Sequence, residues 1–157
     1  MPSNKTLTLI YQASRDGFSG YSFHSKVDGK INTLTIIKVG KNIFGGFTNQ
    51  DWSGNGAYKN DSNAFLFSLV NSFNISIKMN VIKSEYAIYA NNYYGPTFGS
   101  GHDFTLNGGS TDSISGYSNL GYSYQIPSGY INRNEFLAGS HSFSANEIET
   151  YAFDRNN

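Results

Sequence analysis

The sequence predicts a mainly β protein: a β-rich α+β chain in which two antiparallel sheets pack as a sandwich, flanked by one or two short helices. Three observations carry that reading. Runs rich in β-branched and aromatic residues recur along the chain, roughly seven or more of them, separated by spacers of Gly, Asn, Ser and Asp. A hairpin is legible where Thr33-Leu-Thr-Ile-Ile-Lys-Val39 and Ile43-Phe-Gly-Gly-Phe-Thr48 flank Gly40-Lys41-Asn42, a turn able to take positive φ. Aromatic residues make up 16% of the 157, so rings supply an unusual share of the core.

Each element follows from local chemistry. Thr6 to Tyr11 alternates as a strand, and Gln12 to Phe18 reads as a turn around Asp16-Gly17. Ser19 is placed to cap a short helix through Lys26, with Gly29 as its left-handed stop. The hairpin comes next, with Trp52, the only tryptophan, just beyond it. Residues 49–62 read as a long polar loop, and Asn63 to Val70 as a central strand covered on both faces. Asn71 to Asn74 is a turn, with strands expected at Ile75–Met79 and Glu85–Ala90. Asn91 to Gly101 is irregular, and His102 to Leu106 a strand. Asn107 to Gly116 is nearly all Asn, Gly, Ser, Thr and Asp and predicts a flexible surface loop. His141 to Phe153 predicts one long bulged strand. Neither a repeat nor a linker divides the chain, so residues 1–157 are expected to form one domain with a core over about 6–153.

Composition excludes several classes. Eleven Lys+Arg balance eleven Asp+Glu, and no basic stripe marks a nucleic-acid partner. With no cysteine there is neither a disulfide nor a thiolate metal site. The opening Met-Pro-Ser-Asn-Lys lacks the pattern of a secretion signal, and no apolar run is long enough to span a bilayer. The expected location is the cytoplasm, without membrane insertion. Charged residues are only 14%, which protects weakly against self-association and leaves the oligomeric state open.

The ordered set Leu9–Phe18, Phe23-His24, Asp28-Gly-Lys30, Leu34–Ile37, Ile43–Thr48, Trp52, Ala64–Leu69, Gly95–Gly99, Phe136–Ser140 and Glu147–Tyr151 resembles the TLDc domain family over nearly the whole chain. The resemblance implies a sandwich of antiparallel sheets with short flanking helices. Better-studied relatives protect cells against oxidative damage. Several bind subunits of the peripheral, ATP-hydrolysing part of the vacuolar-type proton pump, and none has a well-established enzymatic reaction. The chain departs from the family pattern at Thr150, where Val is usual, and at Tyr151, where many relatives carry Trp.

Candidate sites follow. Glu147 and Glu149 lie two apart on a strand, hence on one face about 7 Å apart, a separation that acid–base chemistry uses. The plainer alternative is an edge-strand charge pair that blocks sheet-to-sheet aggregation. Arg15 and Asp16 form a candidate recognition corner, or else a local pair that ties the turn. Gly45 and Gly46 interrupt a strand, which marks a close approach by a backbone or ring, with Trp52 the candidate ring. Phe44, Phe65 and Phe67 are expected in the structural core. His24, His102 and His141 show no metal-ligand spacing, so no metal or cofactor is expected. Tyr86, Tyr89, Tyr93, Tyr94, Tyr117, Tyr122, Tyr124 and Tyr130 sit among Asn and Gly, as in a lectin-like glycan-binding or a protein-binding surface; the plainer and favoured alternative is that their rings cover the core edges with the hydroxyls in water. The leading expectation is a non-catalytic module that binds a protein partner.

Overall fold

A computed structural model describes residues 5–129 and 132–155. Its strands form two six-stranded antiparallel sheets, as the sequence predicts. The first sheet has the order β1 (Lys5–Gln12), β12 (Glu147–Arg155), β2 (Thr33–Val39), β3 (Asn42–Thr48), β5 (Phe65–Val70), β6 (Ile77–Asn80). The second runs β11 (Ser142–Ala145), β10 (Ile114–Tyr117), β9 (Phe104–Gly109), β8 (Thr97–Phe98), β7 (Ile88–Ala90), β4 (Ala57–Lys59). A helical turn α1 (Ala13–Asp16) and the helix α2 (Gly20–Val27) follow β1. Ser19 caps α2 by accepting the Ser22 N–H, and Gly29 takes φ +85° just past its end.

The two sheets meet over an aromatic seam. Tyr11, Phe23, Trp52, Phe98, Phe104, Phe44 and Phe143 follow one another at centroid separations of 5.4, 5.6, 5.3, 5.0, 5.4 and 5.7 Å, mostly edge to face. Trp52 is fully buried and donates its indole N–H to Thr33 Oγ1 at 3.1 Å. Gly46 makes the seam possible. A Cβ there would fall 2.6–2.9 Å from three atoms of the Phe98 ring. The ring that needs this glycine is therefore Phe98, and Trp52 packs one layer further on against Phe98.

Several expectations are corrected. The loop over 49–62 contains β4, the outer strand of the second sheet. Residues 107–116 are a hairpin: β9 runs to Gly109 and pairs with β10, with Ile114 buried. The glycines there are strand residues, because a Cβ at Gly116 would meet Thr105 O at 2.0 Å. Glu85 and Tyr86 belong to a 3₁₀ turn, and only Ile88–Ala90 is strand. Phe104, not His102, begins β9. The long final strand divides between the sheets, β11 in the second and β12 in the first, with a corner at Asn146. Asn146 donates its N–H to Lys38 O and accepts the Gly40 N–H on its side chain, which fixes that corner.

The face of β5 is corrected too. Leu66 and Ser68 point into the sandwich, whereas Phe65 and Leu69 are partly or largely exposed on the outside.

Candidate functional site

On β2 the alternation is the reverse of a simple sandwich. Thr33, Thr35 and Ile37 face the core, while Leu34 and Ile36 face outward. The inward hydroxyls are used. Thr35 and Thr150 pair through their Oγ1 atoms at 3.0 Å, and Thr48 Oγ1 donates to the buried Asp61 carboxylate at 2.6 Å. Register then puts Phe47 beside Leu34, Gly45 beside Ile36, Phe65 beside Phe47 and Phe67 beside Gly45. Gly45 is the floor of this arrangement. A Cβ there would lie 2.7 Å from the tip of the Phe67 ring and 1.8 Å from Thr35 O.

The result is an apolar groove of about 640 Å³ on the outer face of the first sheet, lined by Leu34, Ile36, Phe47, Phe65, Leu69 and Phe153 with Phe67 beneath. Phe47 stacks on Phe65 at 5.2 Å and meets Phe153 edge-on at 5.9 Å. Lys78 holds its ammonium 4.3 Å above the Phe65 ring, a cation at one rim. Leu69 is 48% exposed.

Glu147 and Glu149 lie on the same outward face of the sheet, toward the other end. The edge-strand alternative for them is corrected, because β12 lies inside the sheet between β1 and β2. Glu147 sits opposite Lys38. It also accepts the Ser14 N–H at 3.0 Å and the Ser14 hydroxyl, so a residue 133 positions away caps the first turn of α1. Glu149 accepts the Tyr151 hydroxyl at 2.5 Å, and that contact raises the pKa of the phenol.

Arg15 and Asp16 form an ion pair at 2.9 Å, and Asp16 also accepts the Gln12 N–H. The Arg15 guanidinium holds the Asp16 carboxyl below its usual range. Glu147, Asp16 and Arg15 thus gather at one corner around α1. There burial, and then the charges of Asp16 and Glu147, raise the Tyr11 phenol well above its ordinary value. Phe44 is buried in the seam against Phe104 and Phe143, whereas Phe65 and Phe67 belong to the outer face.

Among the tyrosines, Tyr124 is fully buried and Tyr89 and Tyr117 are strand residues. Tyr130 lies outside the described residues. Among the described residues no cluster of three or more His, Cys, Asp or Glu could hold a metal ion, and no helix is long and apolar enough to cross a membrane.

Sequence reasoning missed Leu34, Ile36, Phe47, Leu69 and Phe153. Their only signal was the period-two pattern itself, which defines two faces without saying which is inside.

Two six-stranded antiparallel sheets packed face to face, with an apolar groove on the outer face of the first, place the chain in the β-sandwich class. A family model for the TLDc domain matches residues 2–154, and the chain belongs to that family. No curated protein matched the chain.

Proposed function

We propose that the protein is a non-catalytic interaction module that docks a protein partner on the outer face of its first sheet. The observation that carries this is the groove of Leu34, Ile36, Phe47, Phe65, Leu69 and Phe153, an apolar surface that no segment among the described residues covers. Such a surface is worth its hydration cost where another apolar surface closes over it. The acidic pair Glu147 and Glu149, the Arg15–Asp16 corner and the cation of Lys78 flank that face. In this reading they form a charged rim that orients the partner.

Membership of the TLDc family supports a partner among the subunits of the peripheral, ATP-hydrolysing part of the vacuolar-type proton pump, with protection against oxidative damage as the consequence. A cytoplasmic location goes with it. The non-catalytic reading is supported by how the candidate acids are used: Glu147 caps α1 and Glu149 is held by Tyr151.

The test is a binding titration of the purified ATP-hydrolysing sector with the wild-type chain and with Ile36→Glu and Leu69→Lys variants. Micromolar binding that falls at least about tenfold in both variants is the expected result. Absence of micromolar binding would remove the pump as partner. Binding that both variants leave intact would remove the face.

A further inference from the structure

A second cleft, of about 620 Å³, lies between α2 and the Asn91–Gly95 loop, with Gly109 of β9 at its base. We propose that it is a binding site for a neutral glycan with equatorial hydroxyls, held between the rings of Tyr21 and Tyr93.

The two rings are each 80% exposed, more than any other large apolar or aromatic side chain among the described residues. Neither meets another ring among those residues. Their backbones are nevertheless fixed. The Tyr93 N–H donates to Asn91 Oδ1 at 2.9 Å, and the Tyr94 N–H donates to Asn91 O at 3.0 Å. Buried His24 on α2 holds the Tyr94 carbonyl at 2.9 Å. Gly20 lets the loop touch the helix, since a Cβ there would stand 2.5 Å from Tyr93 O. At the base, a Cβ at Gly109 would stand 2.5 Å from Phe18 O. Three segments distant in sequence are thus locked together so that two solvated rings stand on a rigid frame. Pre-organisation of this kind lowers the ordering cost of binding.

The polar groups choose the ligand class. Asp28 spends Oδ1 on His24 at 2.6 Å, and its Oδ2 takes no hydrogen bond among the described residues. The side-chain amide of exposed Asn92 is free among them as well. Ser25 donates its proton to Ser22 O at 2.8 Å and keeps its lone pairs. A carboxylate oxygen that accepts, an amide that donates and a hydroxyl that accepts match vicinal sugar hydroxyls, each of which does both. The flat C–H face of an all-equatorial pyranose fits against a tyrosine ring. A cation is a poorer fit, because the Asp28 carboxylate already has His24 as partner. A proline-rich peptide would use the rings and leave the carboxylate and amide unpaired. This site lies apart from the groove on the first sheet and stands independently of the docking proposal.

The experiment is an amide-resolved NMR titration with maltotriose, cellotriose and tri-N-acetylchitotriose, and in parallel with decaproline. Saturable shifts at Tyr21, Asn92 and Tyr93 with at least one trisaccharide, at millimolar affinity, are expected. Tyr93→Ala and Tyr21→Ala should each weaken binding about tenfold. Both rings are surface groups, so an unchanged melting temperature certifies the variants' fold. Three outcomes would overturn the proposal: no saturable shift with any trisaccharide, sugar-dependent shifts confined elsewhere on the surface, or a cleft that responds only to decaproline.

Discussion

Replacing Thr35 and Thr150 by Val, singly and together, tests the inverted polarity on which the proposed docking face depends. Both residues are buried, and each hydroxyl has only the other as hydrogen-bond partner among the described residues, at 3.0 Å. Val matches Thr in shape and removes only the hydroxyl. Either single variant leaves one buried hydroxyl unpaired, which costs about 1–3 kcal/mol, partly offset by burying a methyl in place of the lost hydroxyl. The expected net loss is about 1–2 kcal/mol, or a fall in Tm of about 2–4 °C per kcal/mol for a domain of this size. The double variant removes both partners and should be near neutral or stabilising. Urea unfolding followed by the fluorescence of fully buried Trp52 supplies the three free energies. The double-mutant cycle should return a coupling of about 1 kcal/mol or more. Additive losses, or singles that cost nothing, would mean that these threonines do not face each other inside the sandwich, and the outward face would go with them.

Three further outcomes follow from the same geometry. Gly46→Ala, whose Cβ would lie 2.6–2.9 Å from the Phe98 ring, should lose about 1–3 kcal/mol by overpacking; a melting temperature within error of wild type would refute the close approach. Asp103 is buried and accepts the N–H groups of Gly121, Ser123 and Tyr124, yet burial still pushes its carboxyl up to about 6. The folded state therefore binds the extra proton between the unfolded value of 3.8 and about 6, so this group's contribution to stability falls as pH rises through that window, by about 3 kcal/mol at most. Asp103→Asn should lack that slope in urea unfolding at pH 4, 5, 6 and 7; parallel profiles for the two proteins would refute it. Glu147→Gln should weaken the cap on α1 and cost about 0.5–1 kcal/mol, with faster amide exchange at Ser14; unchanged exchange there would deny the capping role.

What was legible in the sequence was whatever local chemistry decides. Ser19 caps α2 because its hydroxyl reaches Ser22 N–H three residues on, and Gly40 turns the hairpin with φ +57°, so neither needs the rest of the chain. Partnerships across the chain were not legible. Glu147 finds Ser14 at a separation of 133 residues, and nothing near either residue announces it. The run at 107–116 looked like a loop because glycine usually marks one. Here Gly109 and Gly116 are present because the backbones of Phe18 and Thr105 come within 2.5 and 2.0 Å of where a Cβ would be. Asp103 likewise binds N–H groups of Gly121, Ser123 and Tyr124, some twenty residues further along the chain, and nothing beside it in the sequence names those partners.

The same limit explains why the candidate face was missed while its residues were in view. Thr-Leu-Thr-Ile on β2 satisfies period two in either parity, and the prior that large apolar residues go inside would place Leu34 and Ile36 in the core. Three constraints from elsewhere reverse it. Trp52 needs an acceptor and finds Thr33; Thr150, where the family usually has Val, needs a hydroxyl partner and finds Thr35; and the Phe98 ring occupies the space over Gly46. Once the small hydroxyl residues are fixed inside, Leu34, Ile36, Phe47 and Phe65 have only the outer face left. Hydrogen bonding compensates the inner side of this inversion. On the outer side Phe47 stacks on Phe65 and meets Phe153 edge-on, and Lys78 lies over Phe65, yet Leu69 stays 48% exposed. In the proposed reading a partner covers what is left. For that reason Leu69→Lys, which replaces a side chain 48% exposed, should be nearly silent in unfolding and decisive in binding, the reverse of the pattern expected for the threonine pair; Ile36→Glu, half-buried and opposite Glu149, should weaken binding at some cost in stability.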